Sequence, residues 1–375
     1  MDLWLIPVDG SEPEQLTFEL RDVAYPTPVD ERTVLFIARE ANGAGPWLWE
    51  YDLETRGPPR RAVKGVQQYL SVAASVDGRR LVAAVANPRS ELWTVPILSD
   101  REAGIADASP VAGLEAVRAQ APRVSGDRIY FLSSRGSGDG LWRFENGTTT
   151  VLLRGRDAPL LHAPAISPDG KSFALSLERA GRMRLCVSTT ANAVPRALSD
   201  AVEVGGGACW SPDGASIVVG GHDDAGPGLF VFSVGGGPPR RLLDGQAYNP
   251  VWSPRDDAIV YAGKSAQGAH DVFAVDPRTG RPIEGFPPDI RIIRIGERYR
   301  FLPKGDALIY MQGGERIGQD FWRLDMKTFE RRRIATFDDS AEMRHFDIDA
   351  TGTMIVFDRL EMNSDIIQIQ LPDDE

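Results

Sequence analysis

The chain has 375 residues, 42% of them hydrophobic, and a formal net charge of −11, a balance that fits a globular protein and excludes a disordered one. The acidic surplus is spread along the chain with no basic block. That excludes nucleic acid as the main partner and docking on anionic lipid, because both need a positive surface.

The chain opens in strand-like sequence, Leu3-Trp4-Leu5-Ile6, followed by Glu14-Gln15-Leu16-Thr17. Its first residues carry no positive segment and no cleavage site, so they do not read as a signal peptide. So abrupt a start suggests a domain cut from a longer protein. A turn at Pro28-Val29-Asp30-Glu31 then leads into the apolar strand Val34–Ile37, the aromatic strand Trp47–Tyr51 and the basic Arg60-Arg61-Ala62-Val63. The phrase returns at Ser75–Gly78, Val124–Asp127, Ser167–Gly170, Ser211–Gly214, Ser253–Asp256, Leu302–Gly305 and Asp349–Gly352. These turns are roughly 40–50 residues apart, the period of four-stranded propeller blades.

Ile166 to Ser176 shows why the phrase turns the chain. In Ser167-Pro168-Asp169-Gly170, Pro fixes φ, Asp can bond its own backbone and Gly accepts positive φ. The flanks are apolar for only a few residues, as strands rather than helices require. Each unit then reads as a meander of four antiparallel strands. The first two are the most apolar. The third is aromatic or aliphatic, as in Leu92–Val95, Leu141–Phe144, Leu229–Phe232 and Phe321–Leu324. The fourth is short and basic, as in Arg240-Arg241 and Arg332-Arg333. Charge on an outer edge discourages pairing with other chains.

The fold class expected is therefore all-β: a closed β-propeller of four-stranded antiparallel blades, with eight blades favoured and seven the alternative. Residues 1–375 read as a single domain whose ring is closed by strands from both termini. Both ends offer a third-strand-like segment, so one of the two is surplus, unpaired or displaced. Residues 99–118 and 276–300 are longer connections that read either as plain surface links or as loops covering one face.

Trp210-Ser211-Pro212-Asp213-Gly214 and the Leu229-Phe230-Val231-Phe232 strand after it resemble the TolB-like, WD-type propeller repeat of bacteria. The resemblance covers essentially the whole chain and implies a fold more than a function. Residues 299–305, 319–325 and 357–366 are similar to the ends of propeller domains attached to bacterial serine/threonine kinases and winged-helix regulators. That similarity implies a sensory or interaction module from a larger signalling protein. It would face outside the cytoplasm if the parent is membrane-anchored, and would be cytoplasmic otherwise.

No catalytic motif stands out. Gly-x-Ser-x-Gly is absent, as are His-x-His and His-Glu-x-x-His. His162 and His345 both precede a first strand and could share a metal, although solvent-facing roles explain them as well. The pairs Asp223-Asp224, Asp256-Asp257 and Asp338-Asp339 lie in loops. Cys186 and Cys209 are too few for a disulfide framework and read as packing residues. One constellation remains: Tyr25, Tyr69, Gln120, His162, Tyr248, Arg300 and His345 sit just before or at the start of first strands. In equivalent blades they would ring one mouth of a central channel, where Tyr and Arg make good contact residues. They could equally be packing residues at loop–strand junctions. The expectation is a monomeric, non-enzymatic binding module for a protein, a peptide segment or a small ligand, without metal or cofactor. The alternative is a propeller enzyme acting on sugars or peptides through a channel metal or carboxylates.

Overall fold

The computed structural model describes residues 2–18, 20–39, 46–63, 68–86, 89–115, 117–134, 139–154, 160, 162–179, 181–191, 194–264, 270–287, 290, 298–313, 319–337, 341–361 and 363–370. In chain order the strands begin with β1 (Trp4–Leu5), β2 (Glu14–Gln15), β3 (Arg21–Pro28), β4 (Thr33–Arg39), β5 (Trp47–Asp52) and β6 (Arg60–Arg61). Next come β7 (Tyr69–Ala74), β8 (Arg80–Ala86), β9 (Arg89–Pro96), β10 (Ser109–Pro110), β11 (Gln120–Ser125), β12 (Arg128–Ser134), β13 (Asp139–Glu145) and β14 (Thr148–Arg154). They continue with β15 (Ala165–Ile166), β16 (Ser172–Arg179), β17 (Arg182–Thr189), β18 (Arg196–Ala197), β19 (Glu203–Trp210), β20 (Ser216–Asp223), β21 (Gly226–Ser233) and β22 (Arg240–Asp244). The last are β23 (Ala247–Trp252), β24 (Ile259–Lys264), β25 (His270–Val275), β26 (Tyr299–Phe301), β27 (Ala307–Gly313), β28 (Gln319–Asp325), β29 (Arg331–Phe337), β30 (Phe346–Ile348), β31 (Met354–Glu361) and β32 (Ser364–Gln370).

The chain divides into two compact units, Met1–Arg89 with Met362–Glu375, and Ser90–Glu361. The smaller unit holds the meander β3-β4-β5-β6, the sheet β32-β8-β7 and the two-stranded β1-β2. In it the C-terminal strand β32 runs antiparallel to β8, from Ser364 opposite Ala86 to Gln370 opposite Arg80. Its two cores centre on Phe36 with Tyr51, and on Leu35, Leu48, Leu81 and Val85.

The larger unit holds β11 to β14, β15 to β18, β19 to β22 and β26 to β29 as four-stranded meanders, and β23-β24-β25 as a three-stranded one. Its remaining sheet has the order β10-β9-β31-β30. The first strands β11, β15, β19, β23, β26 and β30 touch one another in that order, and β30 touches β11. Second strands are buried on both faces, which is why they read as unbroken apolar runs: Ile217, Val218 and Val219 are all fully buried. Phe321 stacks edge-on against Phe337, Phe346 and Phe357, joining β28, β29, β30 and β31. A fully buried side chain of this size contributes about 2–3 kcal/mol.

The turn chemistry read from the sequence is present atom by atom. Ser211 Oγ donates to Asp213 Oδ1 at 2.6 Å and accepts from Ser216 N–H at 2.9 Å. Ala215 N–H donates to the same carboxylate oxygen at 2.9 Å. Gly214 closes the turn onto Ser211 O with φ of 71°. Ser167, Asp169, Ser172 and Gly170 repeat the arrangement. In the Ser253 turn, Asp256 takes the positive-φ place of the glycine, and Asp257 takes over the Ser253 hydroxyl.

Each of the eight turn anchors lies in the first hairpin of a sheet of three or four strands. Two of these sheets lie in the smaller unit and six in the larger. β1 pairs with β2 alone among the described residues, and the sheet of β30 and β31 takes β9 and β10 as its third and fourth strands. The reason is one of pattern. β9 and β32 both follow an apolar second strand after a short link, and side-chain alternation fixes the register of a third strand without naming its partner. Residues 99–118 contain β10 and a short 3-10 turn at Ile105–Asp107. Of the connection 276–300, residues 288–289 and 291–297 lie outside the described residues.

Candidate functional site

The expected ring of seven residues is divided between the units. Tyr25 and Tyr69 belong to the smaller one. Tyr25 is half exposed on β3 with φ of 54°. Tyr69 is buried among Leu35, Ile37 and Val72, so it is a packing residue. The other five belong to the larger unit, where counting back from the turn that ends each first strand compares their positions. Counted from Ser125, Ser167 and Ser253, which close the hairpins, Gln120, His162 and Tyr248 are each the fifth residue before the turn. His345 is the fourth, and Arg300 only the second. By this count Gln120 and Tyr248 stand at the start of their first strands, His162 and His345 just before theirs, and Arg300 further along.

The backbone at that end is irregular. β11, β19 and β23 each bulge, between Gln120 and Arg123, Gly205 and Ala208, and Tyr248 and Val251. Ala121, Gly206 and Asn249 sit at these bulges with φ of 55°, 86° and 48°. A bulge re-aims the side chains beside it, and a positive φ at a residue such as Ala121 must be held by its surroundings. Asn249 is nearly buried, and its Oδ1 accepts Gly207 N–H at 2.8 Å. A side chain at Gly206 would meet that same oxygen at 2.8 Å, so the neighbouring strand requires glycine there.

Ala121 is held by Asp358, a buried residue of the second strand β31. Its carboxylate accepts Ala121 N–H at 3.1 Å, and Arg344 N–H and His345 N–H at 2.8 Å each. It also meets His345 Nδ1 at 2.9 Å. Burial pushes this carboxyl up, but the charge and hydrogen bonds of His345 outweigh it and hold Asp358 below the usual carboxylate range.

Further along the strands lies a set of which the sequence reading collected only Arg300. The second residue before the turn is Arg123 on β11, Ala165 on β15, Cys209 on β19, Val251 on β23, Arg300 on β26 and Asp347 on β30. Arg300 Nε is 3.6 Å from Asp347 Oδ1, and Asp347 Oδ2 accepts Val124 N–H at 2.8 Å. Arg123 and Arg300 are both nearly buried, and each donates Nη1 to the carbonyl of the residue before it, Pro122 at 2.7 Å and Tyr299 at 2.8 Å. Aligning the units on their turns would have exposed this set.

The loop carboxylates have structural employment. Asp223 pairs with Arg241, Asp256 accepts the indole N–H of Trp252, and Asp257 serves the Ser253 turn. Asp338 and Asp339 lie outside the described residues. Among the described residues no group of three or more His, Cys, Asp or Glu converges as a metal-ligand set. Nor is any helix there long and apolar enough to cross a membrane. Cys186 is buried, Cys209 partly so, and neither is in a disulfide.

Residues 153–283 match the TolB beta propeller domain family, PD40. Among solved structures, a TolB candidate from Agrobacterium tumefaciens is similar over 73% of this chain and 99% of its own, at 17% identity and a TM-score of 0.55. TolB from Acinetobacter baumannii is similar over 90% of this chain and 78% of its own, at 11% identity and a TM-score of 0.50. At such identities the likeness is one of fold. No curated protein sequence matches the chain.

Proposed function

We propose that the larger unit is a six-bladed propeller acting as a binding module, and that it receives a protein or peptide segment where its first strands begin. One observation carries this reading. Three of the six first strands bulge at that end, and Gln120, His162, Tyr248 and His345 are placed at or just before it by their count from the turns. The opposite end is occupied by turns whose polar side chains bond one another, as at Ser167–Asp169 and Ser211–Asp213. Positive φ at Ala121 and Asn249 is local strain, and strain of this kind concentrates at binding and catalytic sites. The likeness of residues 153–283 to TolB propeller domains agrees with a binding role. A sensory role within a larger signalling protein is part of the same proposal and rests on sequence resemblance; its location would be outside the cytoplasm if that protein is membrane-anchored and cytoplasmic otherwise. A monomeric state is proposed with it.

Selection of a displayed peptide library on the protein tests the reading. Peptides enriched on the wild type should lose at least about tenfold in affinity on the double substitution Gln120→Ala, Tyr248→Ala. Peptides that bind both proteins equally, or a library that yields no binder, would remove this end of the strands as the site.

A further inference from the structure

We propose that β32 is an acceptor edge of the smaller unit, to which a partner protein adds an extended segment, basic and then aliphatic, as a fourth strand. The inference concerns the smaller unit alone and does not depend on the reading of the larger one.

β32 holds the third place in its sheet. On the third strands β17, β21 and β28, Leu185, Leu229 and Phe321 pair with Ser176, Gly220 and Met311, each the sixth residue after the glycine of its turn. Ile366 pairs with Ala84, the sixth residue after Gly78, so its place is equivalent. Its surroundings are not. The other three are fully buried, whereas Ile366 is 81% exposed and Val82, on the same face of the sheet, 49%. β17, β21 and β28 each have a fourth strand beside them, β18, β22 and β29. Among the described residues β32 has β8 alone as a sheet neighbour.

An unpaired row of backbone N–H and C=O groups invites another strand, and proteins guard it with charge, proline or a short length. Fourth strands carry that guard here: β6, β18, β22 and β29 all begin with arginine, and only β10 and β14 do not. β32 has seven residues and no Lys, Arg or Pro. Ile367 and Ile369 pack on the core of Leu81 and Val85, while Ile366, Gln368 and Gln370 are exposed. The buried face fixes the register of this strand and leaves its outer edge open.

The molecule itself shows what its third strands accept. On β21, Val231 and Phe230 lie opposite Arg240 and Arg241, and after a bulge Leu229 lies opposite Leu243. On β28, Arg323 and Trp322 lie opposite Arg332 and Arg333, and after a bulge Phe321 lies opposite Ala335. On β5, Glu50 and Trp49 lie opposite Arg60 and Arg61. In the same register the two arginines of an added strand would meet Gln368 and Ile367. Its aliphatic residue would lie opposite Ile366 and shelter it. Charge agrees with this choice, because residues 1–89 and 362–375 hold 17 acidic side chains and 10 basic ones. In strand addition the main-chain bonds supply affinity and the side-chain contacts supply selectivity.

Fluorescence anisotropy on the full chain tests the proposal with a labelled peptide copied from residues 238–245, Pro-Pro-Arg-Arg-Leu-Leu-Asp-Gly. This peptide should bind. Versions with glutamate for both arginines, or glycine for both leucines, should bind at least about tenfold more weakly. Methylating the backbone nitrogens along one edge of the peptide should abolish binding, and methylating those along the other edge should leave it intact. Ile366→Lys and Gln368→Lys alter exposed side chains and should each weaken binding about tenfold, whereas Gln368→Glu should strengthen it several-fold. The proposal is overturned if the peptide does not bind, if both lysine variants bind it as the wild type does, or if the two methylated edges behave alike. It is also overturned if the chain alone sediments as a dimer that Ile366→Lys dissociates, since the edge would then belong to a second copy. Gln120 and Tyr248 lie outside this test, so either reading can fail without the other.

Discussion

The two ends of the first strands in the larger unit are built on opposite principles. At the turn end the same contacts recur from sheet to sheet: a serine hydroxyl, an aspartate and a left-handed glycine at Ser167–Gly170 and again at Ser211–Gly214. At the other end bulges recur, at the same count from the turn in β11 and β23, but the residues that make them differ. One bulge turns on Ala121, another on Gly206 and a third on Asn249, and each is held by a different neighbour. Repetition marks what the fold needs, because every blade must make the same hairpin. Departure from repetition marks where the blades have stopped being interchangeable, and there the candidate site lies.

This contrast implies that the bulged end depends on single contacts and the turn end on many small ones. The largest effect is expected at Asp358. Asp358→Asn would turn an amide N–H toward one of four donors and strip His345 of its charged partner, so it should cost about 3 kcal/mol in urea unfolding at pH 7. The pH dependence has a definite sign. Asp358 is held below its ordinary value of 3.8, so its contribution is complete above that value and fades as pH falls below it. The gap between wild type and Asp358→Asn should therefore narrow below about pH 4. A gap that stays constant down to pH 2 would show that the charge of Asp358 is not what matters.

Asn249 should come second. Asn249→Ala loses the bond to Gly207 N–H and leaves a β-carbon at φ of 48°, a combination expected to cost about 2–3 kcal/mol. Asn249→Gly loses the bond but relieves the backbone, so it should cost about 1 kcal/mol less. Equal losses in the two variants would mean that the positive φ carries no strain. At the turn end, Ser211→Ala removes one hydroxyl from a turn that keeps its glycine, its aspartate and its backbone bonds. It should cost about 1 kcal/mol by the same unfolding measurement. Were Ser211→Ala as damaging as Asp358→Asn, the contrast between the ends would fail.

Much of the fold was legible in the sequence because the turn end repeats. Pro, Asp and Gly at fixed offsets name the hairpin, and apolar runs such as Ile217–Val219 name the second strand. The site was less legible for three physical reasons. Bulges insert a residue, so positions counted from the start of a strand slip; His345 and Arg300 were grouped with Tyr248 although they are one and three residues closer to the turn. Tyr69 has the same type and local setting as Tyr248, and only burial separates packing from display. Asp358 lies on a different strand from the residues it holds, so nothing local in the sequence links it to Ala121 or His345.

The smallest effect expected concerns the charge, rather than the shape, of the repeated turn. Asp213 is held below its ordinary value of 3.8 by the Ser211 hydroxyl first and by Ala215 N–H next. Its stabilising contribution is therefore present above that value and fades as the pH falls below it. Asp213→Asn keeps an oxygen for both donors and removes only the charge. Because the turn is open to solvent, which screens that charge, the loss at pH 7 should be about 0.5 kcal/mol and should vanish near pH 2. Asp169 is shifted in the same direction by Ser167 and Lys171 N–H, so Asp169→Asn should follow the same profile. Matching profiles at the two turns, read by urea unfolding between pH 2 and pH 7, would show that these repeats are equivalent in energy as well as in geometry. A larger loss at Asp169 alone would mean that its turn has taken on a role its copy at Asp213 does not have.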